Sequence, residues 1–314
     1  MEARGLDFFV GLYNRYATSE NKSKRTIETV AAAVKQFDRF LGGCHTPDRL
    51  KAEDLRRYIL FLQQKERWAG HPTIKKGHGK LSPDAVACYI RSIKAFWSWL
   101  KRERFITRDP FKAVMVPKTP RKIVATFTPH QVTQLLKAIP HQDSAGYRDF
   151  AMVIALYGTA MRIGELTGLR LNDVHFDSGQ LRVMGKGARE RAISMTPTVY
   201  KALFKYANHW RPKVASDFFF VHENGRPLTR FYVDHKFEAW GRKAKISGVR
   251  CSPHTLRHTF SINLLRNGGD LFTLQRILGH STLDMTRRYA QVSDRDVEIT
   301  LKAHSPVEQL GIKV

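Results

Sequence analysis

The stretch His254-Thr255-Leu256-Arg257-His258 lies in the last third of the chain, where the residue pattern after about Arg230 predicts helices. Residues three positions apart are neighbours on a helix surface, so His254 and Arg257 should lie side by side. Two more polar segments follow, Leu278-Gly279-His280 and Arg287-Arg288-Tyr289. A lone histidine or tyrosine is commonly a packed core residue, so these segments gain meaning only in combination.

A metal site is one alternative interpretation of this region. Cys251, His254 and His258 have metal-binding side chains at spacings that ligands can have. A zinc site needs further ligands, and the sequence offers neither a Cys-x-x-Cys partner nor a His-Glu-x-x-His motif. We therefore predict no metal site here.

Two segments upstream add further charged groups. Residues 157–166 read Tyr-Gly-Thr-Ala-Met-Arg-Ile-Gly-Glu-Leu and place Arg162 three residues before Glu165. Taken alone, such a pair is more often a surface ion pair than a reactive site. Residues 185–191 read Gly-Lys-Gly-Ala-Arg-Glu-Arg, which lacks the spacing of a nucleotide-binding P-loop and is typical of a basic hairpin. Alternating apolar residues on both sides predict short strands, and residues 218–221 predict a third.

Taken in order, these segments resemble the signature of the tyrosine recombinase (phage integrase) family. The matching elements are an arginine, a lysine, a His-x-x-Arg motif, a Gly-His pair and a tyrosine, namely Arg162, Lys186, His254, Arg257, His280 and Tyr289. The resemblance spans roughly residue 127 to the C-terminus. It implies a mainly α fold with a small antiparallel β-sheet in the catalytic domain, and two domains that form a clamp around DNA.

The resemblance also implies how the chemistry is divided. Tyr289 would attack a DNA phosphodiester, forming a 3′-phosphotyrosine and releasing a 5′-hydroxyl, so rejoining needs no ATP, metal ion or other cofactor. Arg162 and Arg257 would hold the non-bridging phosphate oxygens, a task that suits planar bidentate donors. Lys186 would act as the general acid that protonates the leaving 5′ oxygen.

Three further residues receive supporting roles from the same resemblance. His254 would assist proton movement or hold the phosphate, and His280 would donate a hydrogen bond to the same oxygens. Glu165 matches an acidic position that supports the neighbouring histidine without touching the substrate.

The chain divides into two predicted domains and a linker. Helical periodicity from Ser23, a helix through Leu55 and Leu62, and a Ser82-Pro83 helix start predict that residues 1–116 form a helical domain. Its layout resembles the family's core-binding, SAM-like DNA-binding domain. Residues 117–126 are basic and contain two prolines, so they predict a linker. Residues 127–314, which open with a capping-box pattern, are the predicted catalytic domain with its C-terminal tail. Six basic side chains are predicted to contact DNA: Lys75, Lys76, Lys80, Lys118, Arg121 and Lys122. For the first three, the alternative is a solvated loop.

The composition favours a polyanionic partner. The chain carries 53 lysines and arginines against 28 acidic residues, a net charge of +25. DNA is the first candidate, because basic side chains gain affinity by releasing its condensed counterions. A membrane surface is the weaker alternative, since neither an amphipathic anchor nor a membrane-spanning apolar run is evident. Three scattered cysteines do not make a disulfide framework and fit a reducing cytoplasm.

The predicted function is site-specific recombination or integration of double-stranded DNA at specific sites. The resemblance implies a homotetramer in the synaptic complex and allows a monomer in free solution. Two other functions stay open: a type IB topoisomerase-like relaxase, and a DNA-binding regulator without catalysis. The mildly apolar tail after Asp294 would either pack on its own domain or dock on a neighbouring protomer.

Overall fold

The protein divides into two compact units, Met1–Lys122 and Ile123–Val314. The computed structural model describes residues 4–43, 45–66, 79–120, 125–185, 190–279, 282–283 and 286. Within them the chain is mainly helical and has a three-stranded antiparallel sheet. The mainly α fold with a small antiparallel sheet is therefore confirmed.

The first unit is built from helices around an aromatic core. Its described helices are α1 Leu6–Ser19, α2 Lys24–Leu41, α3 Ala52–Gln64 and α4 Pro83–Arg102. The predicted starts of α2 and α4 are confirmed, because the hydroxyls of Ser23 and Ser82 accept hydrogen bonds from main-chain N–H groups in the first turn. Phe37, Tyr58 and Trp97 are fully buried in the middle of the unit.

Seven α-helices belong to the described part of the second unit. They are α5 Pro129–Ala138, α6 Ser144–Thr159, α7 Ile163–Thr167, α8 Pro197–Lys205, α9 Arg230–Lys243, α10 Pro253–Arg266 and α11 Leu271–Leu278. The predicted capping box of α5 is present, since Thr128 and Gln131 each bond the other's main-chain N–H. In the described part of the chain, no helix is both long enough and apolar enough to cross a bilayer.

The sheet runs in the order β1 Val174–His175, β2 Gln180–Met184 and β3 Glu190–Ser194. Leu181 pairs with Ile193 and Val183 with Arg191. The strands predicted around these residues are confirmed, but the predicted strand at residues 218–221 is wrong. That segment makes two isolated bridges, one at each end. Phe219 and Phe220 are both buried, so the run lacks the one-sided exposure of an edge strand, and a short apolar run does not by itself specify a strand.

Helix α10 contains residues 254–258 and is enclosed by the second unit. Four consecutive residues, Leu256 to Thr259, are all buried, which happens only when a helix has neighbours on every side. The hydroxyl of Ser252 caps its first turn by accepting from Thr255 N, and Thr259 Oγ1 accepts from Phe127 N at 3.0 Å. Because α10 is fixed from several sides, its polar side chains are held in position.

Candidate active site

An open cavity of about 430 Å³ lies in the second unit, where α7, α9, α10 and the end of β2 meet. It is lined by Met161, Arg162, Ile163, Gly164, Glu165, Met184, Gly185, Arg230, Pro253, His254 and Arg257. Three of the predicted phosphate-binding or proton-moving residues, Arg162, His254 and Arg257, therefore line one cavity although they come from distant segments.

Arg162 enters the cavity from the start of α7. It occupies the N-cap position, where its main-chain N–H donates to Glu165 Oε2 at 2.7 Å and its Nη1 donates to Glu165 Oε1 at 2.8 Å. The arginine and the glutamate three residues later are thus joined twice. The Arg162 side chain keeps 34% of its surface exposed, so part of the guanidinium stays open to a ligand.

Glu165 binds a second arginine in bidentate fashion. Arg191 on β3 donates from Nη1 to Oε1 at 2.9 Å and from Nη2 to Oε2 at 2.8 Å. Burial alone raises the pKa of Glu165, but the hydrogen bonds from Arg191 and Arg162 outweigh it, and the pKa lies below its ordinary value. One carboxylate therefore stays ionised between two guanidinium groups, and the cluster retains positive charge beside the cavity.

Arg257 is only 4% exposed, and main-chain carbonyls hold it. Its Nη1 donates to Ala160 O, and its Nη2 donates to Leu278 O at 2.7 Å. Ala160 follows α6 with a left-handed φ of 51°, a conformation that residues with a side chain rarely adopt. Leu278 ends α11, where the helix dipole favours a positive charge. Arg257 thus fixes the segments that lead to Arg162 and to Gly279.

His254 and His258 form a pair on α10. Their Nε2 atoms lie 3.0 Å apart, and their rings are nearly perpendicular with centroids 4.4 Å apart. A hydrogen bond between two Nε2 atoms requires one ring to carry the proton and the other to accept it. His258 is buried and His254 is exposed on the cavity wall. The contact therefore joins a histidine that lines the cavity to a buried one.

Other predicted site residues lie outside the described residues: Lys75, Lys76, Arg121, Lys122, Lys186, His280 and Tyr289. The glycines that precede Lys186 and His280 are described, and they show where the chain enters these two positions. Gly185 lines the cavity, and a Cβ on Gly279 would lie 2.8 Å from Arg191 Nη1. Glu165 contacts arginines in the described structure, so its support of a histidine stays a prediction. Among the described residues, no three His, Cys, Asp or Glu side chains gather as a metal site requires.

Arg191 is a site residue that the sequence interpretation missed. Besides holding Glu165, its Nε donates to Ile277 O at 3.2 Å, near the end of α11. The segment was interpreted as an ordinary basic hairpin. A signal was present, because Arg191 alternates in phase with the buried Ile193 and so belongs to the apolar face of β3. A charged residue in such a position needs a buried partner.

Comparisons of the sequence place this chain among recombinases. The phage integrase family profile matches residues 125–296. Tyrosine recombinase XerD of Staphylococcus haemolyticus is 33% identical over 257 residues, which cover 78% of this chain and 87% of the relative. Tyrosine recombinase XerC of Bacillus subtilis is 31% identical over 307 residues, which cover 95% and 96%.

Solved structures share the fold. The Tn1549 transposon integrase in complex with transposon right end DNA superposes with a TM-score of 0.72 and 22% identity, covering 97% of this chain and 99% of that chain. The XerH site-specific recombinase bound to difH substrate, in a pre-cleavage complex, gives a TM-score of 0.72 and 17% identity, covering 95% and 94%. At these identities the similarity establishes the fold alone.

Proposed function

Because the chain belongs to the phage integrase family, we propose that it is a site-specific recombinase that cuts and rejoins double-stranded DNA through a covalent link to Tyr289. The names of the relatives, tyrosine recombinases XerD and XerC, support this function. The relaxase and the regulator without catalysis become outcomes of the test below.

One observation carries the proposal: Arg162, His254, Arg257 and Gly185 all line the same cavity. Two planar guanidinium groups can offer parallel hydrogen bonds to the oxygens of one phosphate. Charge that develops on the phosphoryl group during transfer is stabilised by such pre-positioned donors. Arg257 is rigid because carbonyls hold it, and Arg162 is rigid because Glu165 holds it.

The proposed step conserves atoms and charge. The Tyr289 oxygen attacks phosphorus and gives its proton to His254 or to solvent, the bond from phosphorus to the 5′ oxygen breaks, and the leaving oxygen takes a proton from Lys186. Rejoining is the reverse attack by a 5′-hydroxyl on the phosphotyrosine. His254, paired with His258, is placed to relay the proton or to bind the phosphate, and His280 is proposed to bond the same oxygens. The stored ester bond removes the need for ATP, and arginines supply the charge stabilisation that a metal ion gives elsewhere.

DNA binding is proposed to involve both units as a clamp, with residues 1–116 as the core-binding domain, 117–126 as the linker and 127–314 as the catalytic domain. The net charge of +25 supports a polyanionic partner. Of the six basic residues proposed to contact the DNA backbone, Lys80 and Lys118 lie in the described part, and both are exposed. A cytoplasmic location agrees with the few scattered cysteines.

Strand exchange is proposed to occur in a homotetramer that assembles from monomers on two DNA sites. The tail after Asp294 lies outside the described residues, and we propose that it docks on the neighbouring protomer. Deleting it should preserve binding to a single DNA site, measured by gel shift, and abolish pairing of two sites. Normal recombination by the truncated protein would contradict the tail's role.

Covalent trapping tests the proposed function. The protein is incubated with sheared DNA of its host in EDTA and denatured with SDS, and the protein-linked fragments are sequenced. Tyr289→Phe lacks the nucleophile, and Tyr16→Phe, an exposed tyrosine of α1, is the matched control. We expect wild type and Tyr16→Phe to form adducts at a shared sequence, and Tyr289→Phe to form none.

Two other outcomes would indicate a different function. Adducts that scatter without sequence preference indicate a type IB topoisomerase-like relaxase. Tight DNA binding without any adduct indicates a DNA-binding regulator. An adduct that persists in Tyr289→Phe overturns the assignment of the nucleophile.

A further inference from the structure

Arg230 is an arginine of the cavity to which the family signature gives no role. It is the first residue of α9, and its side chain lines the same cavity as Arg162, His254 and Arg257. Three guanidinium groups, a histidine and the carboxylate of Glu165 therefore line one space. The single carboxylate offsets only part of the positive charge, so the arrangement favours a bound anion.

Gly164 makes the room in which the Arg230 side chain lies. A Cβ built on Gly164 would lie 2.2 Å from Nη2 of Arg230, 2.9 Å from Cζ and 3.0 Å from Nε. Three atoms of the guanidinium thus rest directly on the main chain of α7, two residues after Arg162. Only glycine permits this packing, because any side chain at position 164 occupies the place of the guanidinium.

The charge of Arg230 is not neutralised by the described part of the protein. Within those residues its guanidinium takes part in neither a salt bridge nor a hydrogen bond, whereas Arg162 and Arg191 are both bound to Glu165. A guanidinium has five N–H donors, and those of Arg230 have no acceptor among the described residues. A group that is positioned by packing and keeps its donors is suited to an outside acceptor.

The main chain that carries Arg230 is anchored to α6. Thr229 Oγ1 caps α9 by accepting from Tyr232 N at 3.1 Å. The Tyr232 hydroxyl in turn donates to Asp149 Oδ2 at 3.1 Å, and Asp149 is buried on α6. The start of α9 is therefore held to the helix that precedes Arg162. Arg230 keeps a fixed relation to the predicted phosphate-binding groups.

We propose that Arg230 is a third phosphate-binding arginine of the site, and that it contacts a backbone phosphate of the DNA strand being cut, at the scissile position or next to it. This inference rests on the proposed function. Arg162 and Arg257 approach the cavity from α7 and α10, and Arg230 approaches it over Gly164 from α9. A dialkyl phosphate offers oxygens to more than two donors, and a third guanidinium adds charge-assisted hydrogen bonds to them.

The first test is the single-turnover rate of adduct formation with the DNA fragment recovered by covalent trapping. Losing a hydrogen bond to a charged group corresponds to about a 10- to 100-fold change in rate. We therefore expect Arg230→Gln to form the adduct more slowly by about that factor. Arg230→Lys keeps the charge but not the planar guanidinium, so its rate should lie between those of wild type and Arg230→Gln. Gly164→Ala should slow the reaction because its methyl group displaces the guanidinium.

Gly164→Ala tests the proposal independently if Arg230→Gln folds poorly. Gly164 lies in a helix and its φ is not left-handed, so alanine fits the backbone there. Its effect should vanish in the Arg230→Gln background, because the displaced group is already gone. Gly11→Ala, in a helix with open space around the new Cβ, is the control and should react within about twofold of wild type.

Methylphosphonate linkages then locate the phosphate. Each linkage removes one backbone charge, either at the scissile position or at the positions beside it on the cut strand. We expect wild type and Arg230→Gln to react equally fast on one of these substrates, since the contact is lost for both. If Arg230→Gln reacts as fast as wild type on unmodified DNA, or remains slower on every neutralised substrate, the inference is wrong. A wild-type protein that forms no adduct would instead overturn the proposed function itself.

Discussion

Two of the arginine–carboxylate clusters in the described part of the second unit differ in what their arginines can still bind. Arg148 is 3% exposed and donates to Asp149 at 2.7 and 3.0 Å, to the Tyr232 hydroxyl and to Val221 O. We call this the sealed cluster, because its arginine is fully used by the protein.

The second cluster, Arg162, Glu165 and Arg191, opens on the cavity, and we call it the open cluster. Arg162 binds Glu165 through Nη1 and leaves 34% of its side chain exposed. Both clusters combine desolvated charges with good hydrogen-bond geometry. The ion pair of the sealed cluster serves only folding, whereas that of the open cluster also presents positive charge to the cavity.

The largest effect on stability is expected in the sealed cluster. Arg148→Met leaves Asp149 buried at 3% exposure with only Lys236, at 3.7 Å, and the Tyr232 hydroxyl as partners, so the free energy of unfolding should fall by about 3 kcal/mol. Urea unfolding followed by circular dichroism measures this. Adding Asp149→Leu removes the stranded charge and should restore part of the loss. Wild-type stability in the single variant would show that the sealed cluster is not needed for folding.

The open cluster should respond in the opposite manner. Arg162→Gln is expected to slow adduct formation by about 100- to 1000-fold, because the proposed donor to the phosphoryl oxygens is lost. The free energy of unfolding should change by less than about 1 kcal/mol, since the side chain is one-third exposed and Arg191 still holds Glu165. A stability loss as large as that of Arg148→Met, with a wild-type rate per folded molecule, would erase the distinction between the clusters.

Arg191 lies between these extremes, because it binds only protein groups yet joins three parts of the site. We expect Arg191→Met to lower the free energy of unfolding by about 1.5–3 kcal/mol and the rate of adduct formation by about tenfold. Arg191→Lys retains charge without the bidentate fork, so it should recover stability better than rate. If the methionine variant loses stability alone, Arg191 does not position the reacting groups.

The sequence predicted those features that depend on local patterns. The start of α2 follows from apolar periodicity after Ser23, and the starts of α4 and α5 follow from capping residues and prolines; the structure has all three. The strands around residues 181 and 193 follow from period-two alternation. Arg162, His254 and Arg257 were grouped through a family resemblance rather than through geometry, and their common cavity agrees with that grouping.

Features that depend on distant segments were not predicted. The packing of Arg230 on Gly164 joins α9 to α7, and no local pattern encodes it. The ion pair of Arg191 with Glu165 joins β3 to α7 in the same way. The strand predicted at residues 218–221 failed for the related reason that burial of Phe219 and Phe220 comes from tertiary packing rather than from sheet pairing.

The smallest predicted effect concerns the pH dependence of the open cluster. The pKa of Glu165 lies below its ordinary value, because hydrogen bonds from Arg191 and Arg162 outweigh its burial. A carboxylate with a lowered pKa stabilises the fold above its unfolded pKa of about 4.3, and the stabilisation is lost as pH falls through the folded pKa. Glu165→Gln should therefore be less stable than wild type by a constant amount above about pH 5, and the difference should shrink in acid. Urea unfolding of both proteins from pH 7 down to the acid limit of the native state measures this, with Glu53→Gln, an exposed carboxylate of α3, as the control. A difference that grows in acid would mean that the protonated form of Glu165 is the one the fold prefers.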